Sequence, residues 1–354
     1  MTENKFHENN FNIIRLLAAL QVAHYHLVSI YAEKITEAHT LIVKFLGLFP
    51  GVPIFFFISG FLISRSWERS RSAKSYFIKR AARIEPALIA SVLFALLLTW
   101  ISGYFSNNTE VSILDIIKVF LAKTTILQFY NPDFLRGYGD GVLNGSLWTI
   151  TVELQFYMLL PLIYIFFLKT DFTSKIVWLI VIFILVNITY DFLHNDFSKT
   201  IPFKLFHVSF APWIFMFLTG VLFQRKFDYF YRILSGKFIY IFIMYIAISF
   251  LTKLIGADYG NSLNPIVFFM LSCLIFSAAY SPVMLSQKLI GDTDISYGTY
   301  LYHMPIINFF LYMNFPKSYV VGVIIFALTI LTSIASWFLI ERPCLNFAKK
   351  LKAN

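Results

Sequence analysis

Apolar runs of about twenty residues recur along the chain, near 11–31, 45–64, 84–105, 147–167, 176–193, 205–224, 238–255, 265–284, 295–314 and 319–340. Each is long enough to cross a hydrocarbon layer about 30 Å thick as a helix rising about 1.5 Å per residue. The pattern predicts an all-α polytopic membrane protein of about ten transmembrane helices, a single domain over residues 1–354. The longest segment between runs, about 106–146, holds an amphipathic stretch, Val111 to Leu127. It continues as the loop Gln128-Phe-Tyr-Asn-Pro-Asp-Phe-Leu-Arg-Gly-Tyr-Gly-Asp-Gly. Loops of this length are uncommon in compact proteins and often functional. Aromatic rings beside Asp and Asn suit a sugar, because rings stack on its apolar face and carboxylates accept its hydroxyl hydrogens. An ordinary interfacial loop is the competing reading.

Composition excludes a soluble globule. Only 14% of the 354 residues are charged and 58% are hydrophobic, whereas soluble domains carry about 25% charged residues. The net charge of +10 would raise nucleic-acid binding in a soluble chain, but its distribution says otherwise. With the N-terminus inside, 19 of the 29 Lys and Arg fall on the cytoplasmic side: Lys5, residues 65–83, 168–175 and 225–237, Lys288, and residues 341–354. That bias and an even number of spans put both termini in the cytoplasm. No nucleic-acid partner is expected. The N-terminus lacks a basic leader and a small-residue cleavage site, which predicts a retained first span. Cys273 and Cys344 make neither a disulfide framework nor a metal-ligand spacing, so no metal is expected.

Ionisable groups at mid-bilayer cost about 2.5–3.5 kcal/mol each on insertion scales, so those inside spans are candidate functional groups. They are Arg15, His24, His26, Glu153, His207 and His303. Eleven residues at about 100° each return Arg15 and His26 to one helix face, while His24 points roughly opposite. His26 lies about 22 Å into its span from the cytoplasmic end, and Glu153 about 9 Å in from the outer end of its own. Their depths nearly match, and a carboxylate beside a histidine is a recurring general-base arrangement. Polar groups that merely bind helices together would give the same pattern.

Arg80 and Arg83, three apart at the mouth of the third span, form a candidate site for a phosphorylated ligand. A plain positive-inside anchor is the alternative. Ser59-Gly60 lies in the aromatic run Phe55 to Phe61, where glycine permits close backbone approach to a helix or to a ligand. Tyr297, Tyr300 and His303 step by three residues before Pro305, a pattern that core packing explains as readily as chemistry. These residues suit a device that takes a phosphorylated donor from inside and acts outside. They also suit a transporter or flippase for a lipid-linked glycan or small molecule.

Six motifs in order carry a family resemblance. They are Arg15 with His26; Phe-Phe-Phe-Ile-Ser-Gly-Phe-Leu ending at Leu62; Lys79-Arg80-Ala-Ala-Arg83-Ile-Glu-Pro86; Ser146-Leu-Trp148-Thr-Ile-Thr-Val-Glu153-Leu-Gln-Phe-Tyr157; Ile295-Ser-Tyr297 leading to Tyr300-Leu-Tyr-His303-Met-Pro305; and Glu341-Arg-Pro343. Over about residues 11–345 the sequence resembles the membrane-bound acyltransferase 3 family, O-acetyltransferases of bacterial surface polysaccharides. The resemblance implies acetyl-CoA, or another acyl-CoA, as cytoplasmic donor and a glycan hydroxyl beyond the membrane as acceptor. The protein would sit in a bacterial inner or plasma membrane as a multi-pass enzyme, and a homo-oligomer is compatible with that setting. His26 would be the catalytic histidine, Arg15 its motif partner, Glu153 an acidic partner, and Arg80 and Arg83 the pair at the CoA end, with Ser59 alongside the donor. Many members have Asp where this chain has Pro53, so no acidic role is assigned there. No C-terminal hydrolase-like domain is expected beyond Glu341-Arg-Pro343.

Overall fold

The computed structural model describes residues 6–31, 37–108, 111–166, 172–254 and 260–350. Lys5, Lys34, Lys169 and Lys352, which enter the orientation argument, lie outside the described residues. The principal helices are α1 (Phe11–Tyr31), α2 (Gly51–Glu68), α3 (Ala73–Ile101), α4 (Trp148–Phe166), α5 (Phe172–Phe197), α6 (Ile214–Arg225), α7 (Phe238–Leu254), α8 (Pro265–Ala279), α9 (Ser296–Tyr312) and α10 (Tyr319–Ser336). No strand occurs among the described residues.

Among the described residues, six helical segments are long and apolar enough to cross a membrane: Phe11–Ile30, Thr40–Glu68, Ala73–Ile101, Gly145–Phe166, Phe172–Phe197 and Tyr319–Ala348. A seventh results if Phe227–Leu234 and Phe238–Leu254, bent by 89° at their junction, form one broken span. The remaining apolar runs of the sequence form helices that are shorter or broken, which hydropathy alone does not see. The sixth apolar run is interrupted between Ile201–His207 and α6, leaving α6 with 12 residues; α8 has 15 and α9 has 17. Large apolar side chains point outward along these helices, for example Trp178 (65% exposed), Leu185 and Phe192 on α5. An exposed apolar surface that extensive marks a lipid-facing helix rather than a water-facing one.

The chain divides into two compact units, one from residues 1–18, 44–76 and 152–293, the other from 19–43, 77–151 and 294–354. In the first, α2 and α6 pack so closely that side chains are excluded at two points. A Cβ on Gly60 would lie 1.9 Å from the Phe217 carbonyl oxygen, and one on Gly220 would lie 2.1 Å from that of Phe57. Helix packing therefore accounts for the glycine of the aromatic run. Near the end of α2, Glu68 accepts from Tyr164 (3.1 Å), Gln224 (3.0 Å) and Arg225 (2.6 Å), joining α2, α4 and α6.

In the second unit, α9 is buried from Ser296 through Asn308 and packs on α10 at Gly298, where a Cβ would lie 3.1 Å from Ser333 Cα. The amphipathic stretch forms the helix Ile113–Lys123, opened by a capping box between Ser112 and Asp115. Ile113, Leu114, Ile117 and Leu121 face outward, while Val119 and Ala122 are buried. The following loop is built on α9. The Asn308 amide accepts from the Asp140 N–H at 3.0 Å and donates to the Val142 carbonyl at 2.7 Å. Gly139 takes φ 56° in direct contact with Asn308, where a Cβ would lie 2.6 Å away, so only glycine fits that turn. Asn144 adds a bond to the Leu301 carbonyl at 2.9 Å. Of the loop aromatics, Tyr138 packs among Tyr104 and Tyr312, whereas Phe129 and Tyr130 are exposed.

Candidate active site

α1 runs unbroken through Arg15, His24 and His26, so the helical spacing that puts Arg15 and His26 on one face holds. All three side chains are partly buried. In the second unit, His26 meets His303 of α9. His26 Nδ1 lies 2.9 Å from His303 Nε2, and the two rings lie edge to edge, with centroids 5.1 Å apart and planes 9° from parallel. His303 is 1% exposed, and its Nδ1 lies 3.1 Å from the Thr299 carbonyl oxygen one turn earlier. The Tyr300 ring stands edge-on to His303 at 5.9 Å. The Tyr300 hydroxyl is held by Thr149 (2.6 Å) and the Ser146 carbonyl (3.1 Å). Three sequence motifs thus meet at one place: that of His26, that of Ser146-Leu-Trp148-Thr149 and that of Tyr300 to His303.

Glu153 belongs to the first unit. Its Oε1 accepts from Ser59 Oγ at 2.7 Å and from the Tyr157 hydroxyl one turn along α4. The structure thus gives His26 a histidine as its hydrogen-bond partner, and brings Glu153 together with Ser59, two residues that the sequence singled out for separate reasons. His207 lies in an aromatic nest, with the Tyr190 hydroxyl 2.7 Å from its Nδ1, which suits a satisfied polar group.

The two arginines differ in surroundings. Arg83 forms an ion pair with Asp294, lies 3.9 Å from Glu341, and sits over the Trp337 ring at 5.9 Å. Asp294 is also bound to the Ser296 hydroxyl and N–H at the start of α9, and Glu341 accepts from Ser336 at 3.2 Å. Arg83 therefore ties α3 to the start of α9 and to the π-helical turn Trp337–Glu341 that continues α10. Arg80, one turn earlier on α3, is partly buried. Asp294 escaped the sequence reading because it lies just outside an apolar run. Its place before Ile295-Ser-Tyr297, opposite a motif rich in arginine, was the available signal. Among the described residues, no group of three His, Cys, Asp or Glu could hold a metal ion.

The arrangement can do acid–base chemistry. A partly exposed imidazole with one nitrogen engaged leaves its other nitrogen to take a proton. His303 lies seven residues, about 10 Å, along α9 from Ser296, and Asp294 precedes that helix, so the Arg83 cluster adjoins the start of the helix that carries His303.

The acyltransferase 3 model, described as an acyltransferase domain, matches residues 8–342. Nodulation protein 10 of Rhizobium leguminosarum bv. viciae is 30% identical over 98% of this chain and 96% of its own length. An O-acetyl transferase of Shigella phage Sf6 is 28% identical over 96% of this chain and 97% of its own. Peptidoglycan O-acetyltransferase OatA of Listeria monocytogenes is 28% identical over 48% of this chain and 26% of its own. No solved structure matches. With the family model covering nearly all of its length and the six motifs in order, the chain belongs to the acyltransferase 3 family and is an acyltransferase.

Proposed function

We propose that this acyltransferase takes an acetyl group from cytoplasmic acetyl-CoA and esterifies a hydroxyl of a glycan, such as a surface polysaccharide, on the far side of a bacterial cell membrane. In this reading the chain crosses the membrane about ten times and keeps both termini in the cytoplasm. The carrying observation is the His26 imidazole, partly exposed and held through Nδ1 alone among the described residues. The names of two relatives, an O-acetyl transferase and a peptidoglycan O-acetyltransferase, support an acetyl group and a glycan.

His26 removes the proton from the acceptor hydroxyl as its oxygen attacks the thioester carbonyl. The C–S bond then breaks, and the leaving thiolate takes the proton back from His26. Arg80 binds the anionic end of the donor. Arg83, already shared between Asp294 and Glu341, holds α3 in position for Arg80 rather than supplying the main charge. Arg15, on the face of His26, adds positive charge near the donor. Glu153, hydrogen-bonded to Ser59, is the acidic partner that the family motif supplies. The purified protein with labelled acetyl-CoA and candidate glycans should transfer label to a hydroxyl, and His26→Ala should lower transfer by at least about 100-fold. Full transfer by well-folded His26→Ala protein would refute the reading.

A further inference from the structure

We propose that His303 is a positioning residue that locks His26 in the Nδ1–H tautomer and so turns its Nε2 lone pair toward the acceptor hydroxyl; this rests on the base role of His26 proposed above. The assignment follows from which atoms can donate. The Thr299 carbonyl can only accept, so the hydrogen in its 3.1 Å contact belongs to His303 Nδ1. With the rings neutral, His303 Nε2 is then an acceptor. The hydrogen in the 2.9 Å contact between the two rings must come from His26 Nδ1. His26 Nε2 is left unprotonated. One backbone carbonyl thereby sets the protonation of a ring two contacts away.

The geometry makes the lock firm. His303 is buried inside α9 at 1% exposure, its ring is braced by Tyr300, and Tyr300 is itself held by Thr149 and Ser146. His26 has no competing acceptor for Nδ1–H among the described residues. When His26 takes the acceptor's proton on Nε2, the new positive charge is shared along Nδ1–H to His303 Nε2, and His303 passes polarisation on through Nδ1–H to Thr299. The proton itself never leaves His26 until the thiolate reclaims it. The wrong tautomer would place N–H, with no lone pair, against the acceptor, a defect that costs about 10⁴-fold in the serine-protease triad.

Two substitutions separate positioning from packing. The Oε1 of glutamine is the same number of bonds from the backbone as the Nε2 of histidine, so His303→Gln keeps an acceptor for His26 Nδ1–H. His303→Phe keeps a planar ring of similar volume but offers no acceptor. Measured on the full chain in proteoliposomes, His303→Phe should lower kcat by about 10²–10⁴-fold with the KM for acetyl-CoA unchanged. His303→Gln should retain a rate at least tenfold above that of Phe. The second readout needs no turnover: ¹⁵N spectra of histidine-labelled protein, with His26 assigned by its loss in His26→Ala. They should show Nδ1 protonated and Nε2 bare in the wild type, and a mixture of tautomers in His303→Phe. Equal rates for Phe and wild type, or His26 protonated on Nε2 in the wild type, would overturn the inference. If His26→Ala is inactive while His303→Phe is fully active, the positioning role falls and the base role stands. An active His26→Ala removes both.

Discussion

Replacing Arg83 by alanine takes away a guanidinium that Asp294 and Glu341 share. Their side chains are 8% and 2% exposed, so both carboxylates remain in a poorly solvated place. Breaking a buried pair by deleting one partner costs about 3–5 kcal/mol, mostly the penalty of the charge left behind. Arg83 itself keeps 18% exposure and its second contact is long, at 3.9 Å, which puts the expectation at the lower end, about 3 kcal/mol. Spread over 354 residues at an unfolding entropy of about 2.1 cal/mol/K each, that loss lowers Tm by about 4 °C. The assay is thermal unfolding of the purified protein in detergent with no acyl donor present. Asp294→Asn in the same chain should restore part of the loss, giving a coupling of at least about 0.5 kcal/mol in the double-mutant cycle. A donor-docking arginine behaves differently: Arg83→Ala would unfold at the wild-type temperature and lose only the stabilisation conferred by acetyl-CoA. That result would refute the clamp.

Three further predictions address other parts of the fold. Gly60→Ala or Gly220→Ala drives a methyl into a backbone carbonyl across the α2–α6 contact and should cost about 1–3 kcal/mol or more. Gly322→Ala, whose nearest neighbour would be 3.8 Å away, should leave Tm unchanged or raised; equal behaviour of the three variants would contradict the packing. Asn308→Ala removes the bonds to Asp140 and Val142, and amide exchange of the loop at Asp140 should accelerate by about tenfold or more, whereas unchanged protection would mean that the loop does not depend on this anchor. Burial, with the charge of Arg136 second, pulls Lys123 down to about 8 from its ordinary 10.5. Between those values the unfolded chain holds the proton and the folded one does not, so stability rises with pH across about 8 to 10.5. Lys123→Met should lack that rise, and parallel Tm profiles for the two proteins would contradict the assignment.

Periodicity made one class of feature legible and hid another. The unbroken α1, the shared face of Arg15 and His26, and the amphipathic helix Ile113–Lys123 all follow from spacing within one segment, where the 3.6-residue turn fixes direction. Family motifs marked His26, Arg80, Arg83, Glu153, His303 and Glu341 without saying which touch. Depth matching suggested Glu153 for His26, but depth along a span does not specify which side chains are hydrogen-bonded. The His26 partner, His303, is 277 residues away and looked like one of three evenly spaced packing residues. The carboxylates of Asp294 and Glu341 beside Arg83 were out of view because they lie more than 200 residues further on. The break before α6 and the bend before α7 were invisible for the opposite reason: they interrupt the helix without interrupting hydrophobicity.

The most direct test places donor and acceptor on opposite sides of a sealed membrane. Proteoliposomes carrying the protein in one orientation receive labelled acetyl-CoA on the face bearing Arg80 and a glycan on the other. The account predicts alkali-labile label on the glycan hydroxyls, at a rate that His26→Ala reduces by at least about 100-fold. Label on the glycan only when both substrates share one side, or undiminished label with His26→Ala, would contradict it.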